Sequence, residues 1–192
     1  MSRFQVSLPL AFIIATAVGC TSASIESSWR SPTAATMTNV VTLSPASDVG
    51  LRHSAEDKLA QQLSQHGVRA TPGYQVLNDQ DLGDQTRLVQ ALTTRGFDGV
   101  VTMRFVEANQ KLEYYPAFDT YWGGAWGQAI PETVVRIEVN AYSLPNKQLA
   151  WSAMSKSVDP NSAQQVIGDV SKVASARLAS QHVVGPAQAA TR

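Results

Sequence analysis

Cysteine, histidine and charge are all scarce in this sequence, and each scarcity removes a class of function. One cysteine in 192 residues leaves no internal disulfide to form. His53, His66 and His182 lie far apart, and there is no second thiol to complete a zinc site. They read as solvated side chains. Asp, Glu, Lys and Arg make up 16% of the chain, against ~25% in ordinary soluble domains, so the wet surface must rest on Ser, Thr, Gln and Asn. Fifteen basic and fifteen acidic residues are scattered without blocks. That pattern offers no cationic groove for a phosphate backbone and no polybasic stretch for anionic lipid, so nucleic acid is not an expected partner.

Catalytic signatures are equally thin. The run Gly123-Gly124-Ala125-Trp126-Gly127 is glycine-rich but lacks the Lys-Ser/Thr of a phosphate-binding loop. No serine sits in a Gly-x-Ser-x-Gly turn, and no carboxylate pair stands out for general acid and base work. The expectation is a protein without cofactor or metal that is not an enzyme. The alternative is an envelope hydrolase with no recognisable motif.

What the chain does carry begins at its amino end. Arg3 precedes an apolar run over residues 8–18, the order of a signal peptide. The run is shorter than the ~20 residues that cross a bilayer, so a permanent transmembrane helix is not expected. The lone cysteine, Cys20, falls where the run stops, directly after Ala17-Val18-Gly19. Residues 17–20 resemble the lipobox of bacterial lipoproteins, with Ala17 where that family favours Leu. The resemblance implies that the Cys20 thiol receives a diacylglycerol, that the signal peptide of residues 1–19 is cut away, and that the new amino group is acylated, typically with palmitate. Ala15-Thr16-Ala17 also fits the small-x-small triplet of the general signal peptidase. With ~0.8 kcal/mol per buried methylene, two or more chains anchor a protein stably without spanning the membrane. Enteric lipoproteins kept at the inner membrane have Asp after the cysteine. Thr21 therefore implies an outer-membrane lipoprotein with its domain in the periplasm.

After the cysteine, residues 20–35 are small and polar and read as a flexible tether of roughly 20 Å end to end. Trp29-Arg30-Ser31-Pro32 marks where the chain first docks on the domain. With 44% hydrophobic residues, positions 36–183 suffice for one periplasmic domain, and 184–192 read as a disordered tail. The patterning predicts a strand over 36–43 and a helix over 48–65 capped by Gly67. A weaker strand over 68–77 and a helix over 84–95 follow. Next come a strand over 98–106 and a hairpin of strands 132–143 and 148–158, in whose second arm Leu149, Trp151 and Ala153 share one face. Ser162 and Gln165 form a capping box for a last helix running to about residue 181. The expected fold is α+β, a two-layer sandwich with a mixed sheet of about five strands in the order β-α-β-α-β-loop-β-β-α. Its three helices pack mainly on one face, leaving the other open.

This element order resembles small periplasmic domains, such as the amino-terminal domain of the Tol-system translocation protein and the lipoprotein activators of peptidoglycan synthases. The lipobox, tether, Trp-x-x-Pro start, tyrosine-rich segment and terminal helix together resemble uncharacterised bacterial lipoproteins, a membership that implies no known activity. Residues 111–131 hold Tyr114, Tyr115, Phe118, Tyr121, Trp122 and Trp126, three of the five tyrosines and two of the four tryptophans among them. Two readings stand: the rings fold over the open sheet face, or they form a contact surface for another protein or the cell wall. The expected role is non-catalytic: a membrane-anchored protein, held through the lipid on Cys20, that binds or positions another envelope component.

Overall fold

A computed structural model describes residues 23–114 and 129–186, and their side chains except at 79, 107, 109–114 and 129–132. Cys20, the expected signal peptide of residues 1–19 and positions 115–128 lie outside them. The elements run β1 (Ala23–Arg30), β2 (Asn39–Leu43), α1 (Val49–Ser64), β3 (Arg69–Pro72), a 3-10 turn (Gly73–Gln75) and α2 (Asp79–Leu82). They continue with α3 (Gln85–Thr94), β4 (Gly99–Tyr114), β5 (Ala129–Ser143), β6 (Gln148–Val158) and α4 (Ala163–Ser180). The strands form one mixed sheet in the order β1-β6-β5-β4-β2-β3. Only β2 pairs in parallel, with β3 on one side and β4 on the other. The α+β class and open sheet are as expected, with one strand more.

Each long helix starts on a side chain that accepts an otherwise orphaned amide. Asp48 accepts from the Leu51 N–H at 2.8 Å, Asp84 from Thr86 at 2.7 Å, and Ser162 from Gln165 at 3.1 Å. The Gln165 carboxamide reaches back to the Asn161 N–H at 2.9 Å, one residue earlier than the usual box. After α1 the chain turns at Gly67, whose φ of 80° suits glycine.

Connection handedness places the helices. The β2-α1-β3 unit moves to one side of β2, and the return through α3 lands β4 on the other side. Right-handed crossovers in opposite directions must use opposite faces of the sheet. The neighbours Val40 and Val41 in β2 record this. Val40 packs with Leu59 and Leu63 of α1, whereas Val41 packs with Leu92 of α3. Two long helices, α1 and α4, therefore cover one face, and α3 covers only the β2 end of the other. Beside it, the outer face of β5, β6 and β1 carries no helix among the described residues. Under α4 lies Trp151, fully buried, its indole N–H donating to Gln181 at 2.6 Å.

Three expectations change. Residues 23–30, expected in the tether, form β1, an eight-residue edge strand on β6. Ala23 and Ile25 face the core on one side while the other side is polar, which the small-residue composition conceals. Val184, expected to begin the tail, is buried and bridges Met37, and the Gly185 N–H donates to the Met37 carbonyl at 3.0 Å. The register also shifts between Ala141 and Tyr142, where Ala150 is the extra residue of β6. That bulge turns Leu149 away from Trp151 to pair with exposed Tyr142.

Candidate functional site

Two surfaces stand out, one on the open face and one at the end of the sheet where α1 and α4 begin. The first follows from alternation, since every second residue of an antiparallel strand turns from the core. Across β1, β6, β5 and β4, one row reads Ser27, Met154, Glu138 and Arg104, and the next reads Trp29, Ser152, Asn140 and Thr102. Arg104 donates to Glu138 at 2.6 and 3.0 Å from two nitrogens. Arg136 pairs with Glu26 at 2.9 Å, tying β5 to the edge strand across β6. These pairs hold side chains in place more than they stabilise the fold, because exposed ion pairs contribute ~1 kcal/mol or less. Trp29, 51% exposed, and Tyr142 stand among them.

The second surface is an apolar groove of about 700 Å³. Its floor is Met103 and Phe105 of β4 with Val135 and Ile137 of β5. Leu51 of α1 and Val166 of α4 form the walls, and Pro45 and Pro160 lie at the rim. A bulge at Val106 separates Phe105 from Glu107 in the ladder, and the Phe105 ring is 60% exposed at the groove. Past this point β4 and β5 stay paired as far as Tyr114 opposite Ala129. The groove lies where β2 and β6 end, where α1 and α4 start and where β1 enters the sheet, against the middle of β4.

Of the residues singled out from the sequence, Tyr114 is the last described residue of β4. Cys20, Tyr115, Phe118, Tyr121, Trp122 and Trp126 lie outside the described residues. His53 stacks on Tyr74 with ring centroids 4.0 Å apart, and the Tyr74 hydroxyl donates to Asp57 at 2.9 Å. Among the described residues no group of three or more His, Cys, Asp or Glu side chains could hold a metal ion, and no helix is long and apolar enough to cross a membrane.

Sequence reasoning missed Glu56. Its helical position suggests a wet face, yet it is buried and accepts the Ser44 N–H at 3.1 Å and the Tyr74 N–H at 2.9 Å. The carboxylate thus satisfies two amides, one after β2 and one in the turn after β3, an arrangement that organises backbone. No spacing signal marks it, because its partners are main-chain groups of distant segments. The groove was equally hidden, since Phe105 alternates into the inner face like any core residue.

These features define a small α+β domain with one open sheet face and an apolar groove at one end. No protein-family model and no curated protein sequence matches the chain. Among solved structures, a variant PelC dodecamer from Paraburkholderia phytofirmans is similar at a TM-score of 0.50 and 16% identity, over 80% of this chain and 96% of that one. Lipoprotein GNA1162 from Neisseria meningitidis gives 0.43 and 18% over 74% and 99%. A minor lipoprotein from Acinetobacter baumannii gives 0.36 and 11% over 75% and 94%. Bacterial lipoproteins are thus among the structural neighbours, and at these identities the likeness concerns the fold alone.

Proposed function

We propose that the chain is a lipid-anchored protein of the bacterial envelope, its domain in the periplasm, that binds or positions another envelope component without catalysing a reaction on it. The observation that carries this reading is the open sheet face. Trp29 and Tyr142 stand exposed on a rigid framework whose charged neighbours, Arg104, Glu138, Arg136 and Glu26, are held in cross-strand pairs. Aromatic and Arg side chains fixed in place before contact suit a protein interface, because little rotamer freedom is lost on binding. The aromatic positions 114–126 extend the same reading. Anchoring at Cys20 adds orientation: with β1 starting at Ala23, only residues 21 and 22 separate the lipid from the sheet. The domain would sit against the headgroups.

Photo-crosslinking amino acids placed at Trp29, Tyr142 and, as a control on α1, Lys58 test the face in intact envelopes. The expected result is one adduct of defined mass from the first two positions and none from Lys58. Equal adducts at all three, or none, would count against it. Turnover of esters or glycans by the purified chain would favour the hydrolase instead. In the aromatic segment, replacing Trp122 and Trp126 by Ala should leave the melting temperature unchanged and weaken the adduct. A loss of ~3 kcal/mol or more for each would show that the rings are buried. The anchor has its own assay: labelled palmitate should enter the wild-type protein and not Cys20→Ser.

A further inference from the structure

We propose that the groove between α1 and α4 holds an acyl chain, the one carried by Cys20 of the same molecule. The inference rests on the lipid-anchor reading above and adds to it an occupant for a surface that would otherwise stand open to water. Its first support is chemistry. Met103, Phe105, Val135 and Ile137 make an apolar floor, and Phe105 is 60% exposed although its ladder partner Ile137 is buried. A groove of about 700 Å³ lies within the ~300–1,000 Å³ range of small-molecule sites. Its lining is apolar apart from Ser44, Ser162 and Arg104, whose guanidinium is paired with Glu138, so it suits hydrocarbon better than a headgroup.

The second support is position. Ala23 pairs with Ser157 of β6, and Ser157 pairs with Val135 of β5, a floor residue of the groove. At ~4.8 Å between strands, Ala23 lies roughly 10 Å from Val135 along this row. Three residues back from Ala23, Cys20 has a reach of about 10 Å at ~3.3–3.6 Å per residue. That reach is of the same length as the distance to the groove, whose rim includes Pro160 in the connection from β6 to α4. A longer tether would have made the groove one of many places for the lipid to go. The β1 ladder makes it the near one.

A chain buried here would leave the membrane, and each methylene is solvated about equally well by either apolar setting, so occupancy is a balance that the remaining chains of the anchor permit. A diazirine-bearing palmitate fed to cells producing the full-length protein reads that balance. After irradiation of the envelopes, adducts are expected on Phe105, Val135, Ile137 and Val166. Two variants, Ala163→Trp at the start of α4 and Phe105→Glu on the floor, change exposed positions that folding tolerates, and both should lose these adducts while keeping the label on Cys20.

Label on Cys20 with adducts only on phospholipid or other proteins would overturn the inference and leave the anchor reading intact. Groove adducts that persist in Cys20→Ser would overturn it as well, since the occupant would then be a membrane lipid. Absence of label from the wild-type protein would overturn the anchor reading and this inference together.

Discussion

At the scale of single residues, the fold is held at its seams by polar atoms whose partners are backbone amides. Asp98, just before β4, accepts from the Thr38 N–H at 2.8 Å, the Thr38 hydroxyl at 2.9 Å and the Asn39 N–H at 3.0 Å. One carboxylate thus fixes the start of β2 against the start of β4. Asp98→Ala removes the acceptor and leaves two part-buried amides unpaired, a loss of ~2 kcal/mol. Urea unfolding should show a lower midpoint at unchanged m-value, and a shift worth less than ~0.5 kcal/mol would mean that water replaces the carboxylate. Gly73 shows the opposite sensitivity, to added volume. A methyl group there would meet the Leu43 side chain and stand 3.0 Å from the Thr42 carbonyl, which cannot move aside. Gly73→Ala should cost ~1–3 kcal/mol, as overpacking does, although glycine-to-alanine in an open turn is commonly stabilising. A stabilised variant in the same assay would show that the turn relaxes. Neither role is legible from the sequence, because both depend on which distant segments the topology brings together.

Whole elements were more legible where a local signal marks them. Asp48, Asp84 and Ser162 announce the starts of α1, α3 and α4, and the structure places each as the cap. Val101 and Met103, alternating with Thr102 and Arg104, announce β4 in the same way. The edge strand β1 was hidden because an edge needs an apolar contact on one side only, which Ala23 and Ile25 supply in a segment otherwise like a linker. Its bulge at Glu26 then breaks the period that remained. The bulge and the charge on Glu26 also blunt the edge against pairing with another chain. At the far edge, β3 is short and ends on Pro72, a similar protection. Hydrogen exchange separates strand from tether. In an edge strand only alternate amides face a partner, so about half of the amides in 23–30 should exchange slowly and half freely. Uniformly fast exchange would return the segment to the tether.

For the molecule as a whole, the face chosen by each helix was not legible, since an apolar stripe says that a helix packs and not where. The crossover rule supplies that choice only once β3 and β4 are known to flank β2. The resulting polarity matters for sorting. β1 enters the sheet at Ala23, so Thr21 and Ser22 are the residues between Cys20, the proposed site of the lipid, and the strand. A retention signal read immediately after the cysteine would be presented in one orientation against the groove end of the domain. Thr21 lacks the carboxylate found there in enteric lipoproteins kept at the inner membrane, so the wild-type protein should fractionate with the outer membrane on a density gradient. Thr21→Asp should redistribute it to the inner-membrane fraction with palmitate labelling unchanged. The melting temperature should be the same in both proteins, which separates a sorting effect from a loss of stability. Wild-type protein in the inner-membrane fraction would refute the outer-membrane destination. A Thr21→Asp variant that remains in the outer membrane would show that the short link hides the signal from the sorting machinery, and that the destination is set by the domain.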